Sequence, residues 1–458
     1  MKTKKAIKKK QNSLIKGKLF PLYIHYFTTS VFGMLMVSIY ILFDTIFIGQ
    51  GLGSKGLAAL SLLLPVFCLL YGSGMLFGMG GSALMSIYVG QGKFDRAKEV
   101  FTHAYFSMLF VGIVLSLLGV LFLEPLSYFL GADESTFLYV KEYLFFILSF
   151  GFTFVMVNGT TIFIRNDQAP RWAMAITLTS GFSNILLDYI FIFPLHMGMK
   201  GAALATAIAS STAFLLSLFY LRKKAKILRF SFQNFSWLLL KKIIQVGFSS
   251  FIVEVSSGIV IFSFNTIILL RMGTVGVSAY SILANIVLIV TAIFTGISQG
   301  IQPLLSQNHG ANQHQRVLHT RRLAVFSACF IGFLFFLTGL FFPGEIIDLF
   351  SSDQGEFRQI AKEAMLFIFP SFMLSGINIV YGGYKQAINH ASHSAWITFS
   401  RGVLLIIIGL LTLPLLFGNL GIWLTIPFAE VITLLLGIHL LRKKPQQLAT
   451  EDHSNELI

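Results

Sequence analysis

Leu221-Arg222-Lys223-Lys224 closes one long apolar stretch of the chain, and Leu441-Arg442-Lys443-Lys444 closes another 220 residues later. The same offset pairs Gly53 with Gly273, Gly56 with Gly276, Ser61 with Ser281, Ser86 with Ser306 and Gly90 with Gly310. It also pairs Arg96 with Arg316, Arg165 with Lys385, Gly198 with Gly418 and Gly201 with Gly421. Apolar residues match by chance in a leucine-rich chain, whereas glycines and cations held at one offset over such a distance mark a duplicated unit.

The unit is a membrane one. Of 458 residues 55% are hydrophobic and only 12% charged, and 48 are phenylalanine, too little polar surface for a soluble globule of this size. Uncharged runs long enough to cross about 30 Å of hydrocarbon as helices recur along the chain. Twelve spans are expected, near residues 20–49, 55–85, 100–123, 140–163, 171–194, 199–221, 241–270, 275–304, 320–342, 362–383, 395–417 and 420–441. By their placement, 28 of the 34 Lys and Arg fall on the side of the N-terminus, the even-to-odd links and the C-terminus, which makes that side cytoplasmic. Eight of those cations precede residue 19 and are read as anchoring of the first span rather than as a nucleic-acid site. The first apolar run is too long for a cleaved signal core and is kept as a span. Cys68 and Cys329 lie inside spans without metal-ligand spacing and are read as packing residues.

An even number of spans per repeat gives both copies the same orientation, related by a pseudo-twofold axis along the membrane normal. The expected organisation is a basic segment 1–19, an N-lobe 20–221, a cytoplasmic linker 222–240, a C-lobe 241–441 and a tail 442–458. Paired bundles of this kind work by rocking around a central cavity.

Four of the 19 acidic residues, Asp44, Asp188, Glu254 and Glu430, fall well inside spans. Each costs about 2.5–3.5 kcal/mol at a helix centre unless something satisfies it, so all four together call for a function. Tyr40 precedes Asp44 by four residues and Asn184 precedes Asp188 by four, which puts each pair on one helix face. With Asn158 and Thr206 they predict a polar pocket in the first half. Two carboxylates dehydrated side by side cannot both carry charge cheaply, which suits them to exchange a proton, attract an organic cation or ligate Na⁺. The second half does not copy this pocket. Phe264 falls opposite Asp44, with Asn265 one position on, and Ile408 falls opposite Asp188. Its own carboxylates are Glu254, beside Ser250 and Ser257 on one face, and Glu430, which together with Asn265 are expected to form a second ion or substrate site. Arg401 either pairs with a carboxylate or snorkels to the surface, the latter being the ordinary outcome. Abundant Phe and Met suit an adaptable surface for flat hydrophobic cations.

Several runs resemble, in order, the signatures of the MATE (multidrug and toxic compound extrusion) family: Asp44-Thr45-Ile46-Phe47-Ile48-Gly49, Gly56-Leu57-Ala58-Ala59-Leu60, Pro65, and Gly78 to Gly90. Asn184-Ile185-Leu186-Leu187-Asp188, Gly198-Met199-Lys200-Gly201-Ala202-Ala203-Leu204-Ala205-Thr206 and Gly296-Ile297-Ser298-Gln299-Gly300-Ile301-Gln302-Pro303 continue the likeness, closest to the MepA-like branch. The resemblance implies a V-shaped, all-α antiporter of two six-helix bundles in a bacterial plasma membrane, exporting cationic drugs against inward H⁺ or Na⁺. Neither a cofactor nor a nucleic-acid partner is implied, and a monomer is the expected functional unit. It assigns a cation pocket to Tyr40, Asp44, Asn158, Asn184, Asp188 and Thr206, with Na⁺ at Asp44, Asp188 or Glu254. In branches that place an Asp in the tenth span, this chain has neutral residues such as Ser371 and Asn378. A lipid flippase of the wider superfamily would be expected to line its cavity with several cations, but these spans carry mainly acids. An intramembrane aspartyl protease would need a Gly-x-Gly-Asp motif, which is missing, and would leave the duplication unexplained.

Overall fold

Gly53 and Gly273, a pair at the 220-residue offset, adopt the same left-handed backbone, φ 69° and ψ −157° in one and φ 65° and ψ −162° in the other. Residues with a Cβ are strained there, and each glycine breaks what is otherwise a continuous helical run. The computed structural model describes residues 13–134, 136–231, 235–348 and 355–442. Most of the basic N-terminal segment, part of the linker (232–234) and the tail from 443 lie outside the described residues.

Cut at these two glycines, the described residues form twelve spans. They are α1 (Leu19–Gly53), α2 (Lys55–Gly90), α3 (Phe94–Leu121), α4 (Phe137–Ser149 and Gly151–Asn166, bent by 54°), α5 (Pro170–Ile192) and α6 (Gly198–Lys223). In the second half Trp237–Gly310 supplies α7 before Gly273 and α8 after it. There follow α9 (His314–Phe341), α10 (Glu356–Ala387), α11 (Ala391–Phe417) and α12 (Asn419–His439). The local chemistry agrees: Pro170 opens α5, where its missing N–H costs nothing, and the paired Gly198 and Gly418 turn with positive φ into α6 and α12. The end at which α1 begins is called proximal here and the opposite end distal; even-to-odd links lie proximally.

Two large hydrophobic cores form among the described residues, and each borrows from the other half. The first runs from Ile48 through α6 and ends with Ile243 and Val246 of α7. The second holds Phe264 to Ala429 together with Leu14, Tyr23 and Tyr26 from the start of the chain. Tyr23 and Ile243, like Tyr26 and Val246, are one repeat apart, so the exchange is itself symmetric. Tyr23 Oη donates to Ser327 Oγ at 2.7 Å, and Arg316 donates to the carbonyls of Leu14 and Gly17. The linker is equally bound to the first half. Asp167, fully buried, accepts from Tyr220 Oη and from the backbone N–H of Lys226 and Ile227 at 2.6–2.7 Å. Ser236 N donates to His103 Nε2 just before α7 begins.

The halves meet proximally through glycine. A Cβ on Gly90 would lie 2.2 Å from Gln307 O, and one on Gly310 would lie 2.1 Å from Ile87 O, the symmetric counterpart. Farther in, a Cβ on Gly80 would meet Ile243 O at 2.1 Å and one on Gly247 would meet Leu76 O at 1.7 Å. Because the obstructing atoms are backbone, no rotamer change relieves them. Gly90→Ala or Gly310→Ala should therefore cost about 1–3 kcal/mol, read as a lowered melting temperature of the purified protein; an unchanged melting curve would mean that the two helices separate freely.

Candidate functional site

Between the halves lies a cavity with about 250 Å³ open to water-sized molecules. Its walls are Met34 and Tyr40 of α1, Tyr71 and Met75 of α2, Phe154 and Asn158 of α4, Asn184 of α5, Thr206 of α6 and Glu254 of α7. Aliphatic, aromatic and thioether side chains alternate along these walls with hydroxyls and amides. A smaller recess of about 70 Å³ shares Met75, Glu254 and Gln299 and reaches Asn378 and Arg401 on the side of the second half.

The floor of the cavity toward the proximal end is a polar layer that crosses from half to half. Arg165 Nη1 donates to Gln299 Oε1 at 2.8 Å, and Asn166 Nδ2 donates to Gln302 Oε1 at 2.6 Å. Gln302 Nε2 returns to Ser82 Oγ at 3.1 Å, and Ser86 Oγ donates to Asn166 Oδ1 at 2.7 Å. Arg165 is buried, and both it and Gln299 line the cavity. Its charge-assisted bond to a neutral amide ties α4 to α8.

The residues grouped by helical spacing come together on the first-half side, in two shells. Tyr40, Asn158, Asn184 and Thr206 face the cavity; Asp44 and Asp188 lie outside its lining, behind that wall. Tyr40 and Tyr71 share a hydrogen bond of 2.6 Å, Asn184 Nδ2 donates to Thr206 Oγ1 at 3.0 Å, and Asn158 Nδ2 is held by Phe154 O in its own helix. The two carboxylates adjoin each other and Tyr143 of α4, whose ring is also within reach of Thr206. Neither oxygen of Asp188, nor Asp44 Oδ1, nor Tyr143 Oη, has a hydrogen bond of good geometry. Asp188 is fully buried and Asp44 is 9% exposed. Buried polar atoms left unpaired are costly, and together these form an acceptor-rich cluster.

The carboxylates of the second half have separate fates. Glu254 lines both cavities, and among the described residues no ion pair engages it. Glu430 is buried and fully engaged: Ser375 Oγ and Arg401 Nε donate to Oε1 at 2.7 Å each, and Asn378 Nδ2 donates to Oε2 at 2.7 Å. Arg401 therefore does not snorkel. A bend of wider helix at Ser400–Leu404 re-aims α11 at this point, and the guanidinium turns inward to the carboxylate. Asn378 sits where some relatives were expected to carry an acid and serves Glu430 instead. Asn265 lies outside both cavities. Sequence reading missed Tyr71, Tyr143, Arg165 and Gln299. Their signal was weak, since a tyrosine in an apolar run reads as packing and Arg165 sits at a span end where cations are ordinary.

A model of the MatE family matches residues 30–190 and again 248–411, together more than half of the chain. The multidrug export protein MepA of Staphylococcus haemolyticus is 27% identical over 442 residues, spanning 95% of this chain and 96% of that protein. MepA of Staphylococcus aureus strain NCTC 8325 is 26% identical over 438 residues, spanning 94% and 95%. Among solved structures, an outward-facing multidrug resistance MATE family transporter of the MOP superfamily superposes with a TM-score of 0.86 at 21% identity, covering 94% of this chain and 98% of that one. A MOP superfamily transporter from Pyrococcus furiosus, described as having a binding pocket of reverse polarity, gives 0.85 at 21% identity, covering 93% and 96%. At such identities the structures speak for the fold alone, and it is the twelve-helix MATE fold.

Glu430 and Arg401 behave as a brace in this geometry, which double substitution can separate from a functional pair. Arg401→Met alone strands a buried carboxylate and should cost roughly 3 kcal/mol. Arg401→Met combined with Glu430→Leu should recover most of the lost melting temperature. If the double variant is no more stable than the single one, the pair does not act as a unit.

Proposed function

Because the chain belongs to the MatE family, we propose that it is a multidrug efflux antiporter, exporting hydrophobic, mainly cationic organic compounds in exchange for inward H⁺ or Na⁺ by alternating access. The observation that carries this reading is the pair Asp44 and Asp188, adjoining each other with no cation paired to either among the described residues, behind the wall of a mixed apolar and polar cavity. A structural pair would be satisfied, as Glu430 is. An unsatisfied pair beside a cavity is poised to take up an ion.

The separation of the two shells gives the coupling its form. Drug and ion do not compete for one oxygen; they share a wall. A proton or Na⁺ entering at Asp44 and Asp188 neutralises charge that otherwise draws a cation into the cavity, and it recruits Tyr143, Asn184 and Thr206 as ligands or donors. Asn184 and Thr206 then change partners at the cavity surface, and so does the Tyr40–Tyr71 pair one helical turn from Asp44. Drug affinity falls when the ion binds and recovers when the ion leaves, which is the reciprocity that antiport requires. Glu254, on the opposite wall, supplies the second anionic contact for a cationic drug.

The two six-helix halves are the moving bodies in this scheme. Rocking must break the polar layer of Arg165, Asn166, Gln299 and Gln302, so that layer is the proximal gate. The chain is a multi-pass membrane protein; the cation excess places both termini and the proximal end in the cytoplasm of a bacterial cell. The monomer holds the whole cavity and both carboxylates and is the functional unit.

Removing the charge-bearing oxygens tests the reading directly. Asp188→Asn should cut ethidium efflux from proteoliposomes roughly ten-fold or more, with a melting temperature that holds or rises, because the carboxylate makes no hydrogen bond of good geometry in the fold. Undiminished efflux with intact ion dependence would sink the assignment. Efflux driven by a pH gradient alone, then by a Na⁺ gradient alone, identifies the ion.

A further inference from the structure

The proximal ends of the two halves differ in charge, although the backbone repeats. In its α2–α3 and α4–α5 links the first half balances its cations with acids: Arg96 pairs with Glu99, Lys98 pairs with Asp95, and Asp167 sits after Arg165. At the same offset the second half has His319, Gln315 and Ala387. No acidic residue occurs from 255 to 344 or from 364 to 429. Basic residues have also been added where the first half is apolar: His309, Arg321 and His390 stand at the positions of Val89, Phe101 and Pro170.

These additions gather around Lys385. That side chain is only 7% exposed, and among the described residues no hydrogen bond or ion pair holds its ammonium. Arg321 of α9 lies over the Tyr384 ring at 5.2 Å from its centroid, and its charge reaches Lys385. His390 stands at the N-cap of α11 with no side-chain cap bond, so the N–H groups of the first turn point outward unclaimed by it. Its ring stacks on His393 at 5.5 Å. Burial, and after it the positive charge of Lys385 and the neighbouring His393 and His309, pushes His390 down to about 4. Attraction of cations to the cytoplasmic face accounts for side chains that reach water. It does not account for several bases gathered around one lysine whose stem is buried and which no acid pairs among the described residues.

We propose that Lys385, Arg321, His390 and His309, at the N-terminus of α11, form an anion site for a phosphate group, presented by a membrane lipid headgroup or as free phosphate. A basic pocket between helix ends on the cytoplasmic side has the charge and donor count for this ligand. Lys385 contributes a point charge, Arg321 a planar fork and the helix its first-turn N–H groups. The phosphate neutralises the cluster and so favours protonation of His390, which faces Lys385 from α10, His309 from α8 and His393 on its own helix, with Arg321 of α9 on the far side of Lys385. Binding therefore tightens as the pH falls. The site lies in the half that lacks the Asp44–Asp188 pair, and it does not depend on how the drug cavity is read.

The test uses the full chain, purified and without anionic lipid. One arm titrates inorganic phosphate and follows the melting temperature; the other reconstitutes the protein in phosphatidylcholine nanodiscs with increasing phosphatidylglycerol and counts retained phosphatidylglycerol by native mass spectrometry. Wild type should bind in at least one arm. Lys385→Gln and Arg321→Gln should each weaken that binding by about ten-fold, as loss of a charge-assisted contact does, and Arg322→Gln, an exposed neighbour, should leave it within about two-fold. Retention of phosphatidylglycerol without a response to inorganic phosphate assigns the headgroup, and the converse assigns the free ion. Should Lys385→Gln fail to fold, Lys385→Arg must keep binding while Arg321→Gln loses it. Absence of binding in both arms, or equal losses with Arg322→Gln, overturns the proposal.

Discussion

The close approach of α2 to α8 at Gly90 and Gly310 is the constraint on which the rest of the architecture depends. Missing side chains let the backbone of each helix rest on a carbonyl of the other, at Gln307 and at Ile87. The contact is made twice, once from each copy of the repeat, and so defines the pseudo-twofold axis physically. With the halves pinned there, the polar layer from Ser82 to Gln302 can span the gap at hydrogen-bond distance. Above that layer the halves diverge enough to leave a cavity. The exchange of Tyr23 and Tyr26 for Ile243 and Val246 strengthens the same end, because pulling the halves apart must bend α1 and α7 rather than slide two smooth surfaces.

Charge placement follows from that frame. Hydrocarbon penalises every carboxylate by a similar amount, and the protein answers in three ways. Glu430 is fully paired and holds α10, α11 and α12 together. Glu254 faces the cavity. Asp44 and Asp188 adjoin each other with no cation paired to either among the described residues. The cost of the last arrangement falls on stability and is offset by the packed cores on either side. The adjoining carboxylates of the first half and the excess of basic residues at the proximal end of the second mark where the two copies differ in chemistry.

Much of this was legible in the chain. The spans read from apolar runs agree with the helices to within several residues at each end, and Gly53 and Gly273 sit where the repeat had paired them. Tyr40 with Asp44 and Asn184 with Asp188 could be grouped from the chain because helical spacing alone brings each pair within one turn. Tyr143 was not legible: its neighbours in the cluster come from α1, α5 and α6, and no pattern within α4 distinguishes it from a packing tyrosine. Arg401 was misread for a related reason. Near a span end the usual fate of an arginine is to reach outward, and only the turn at Ser400–Leu404 together with Glu430 across the bundle reverses that.

The sequence by itself determined that the protein lies in a membrane, that it has twelve spans in two like-oriented copies, and that four acids stand in hydrocarbon at a cost. These properties depend on hydropathy, periodicity and offset, which are additive along the chain and need no knowledge of distant neighbours. Tertiary structure alone decided which acids are satisfied, which residues face the cavity and which lie behind its wall, and how each core takes in the other half's first helix. Such outcomes depend on partners tens to hundreds of residues away, as with Asn378 and Glu430 or Arg165 and Gln299. Hydrogen bonds act over about 3 Å, so only the packed fold can say whether a buried charge has one.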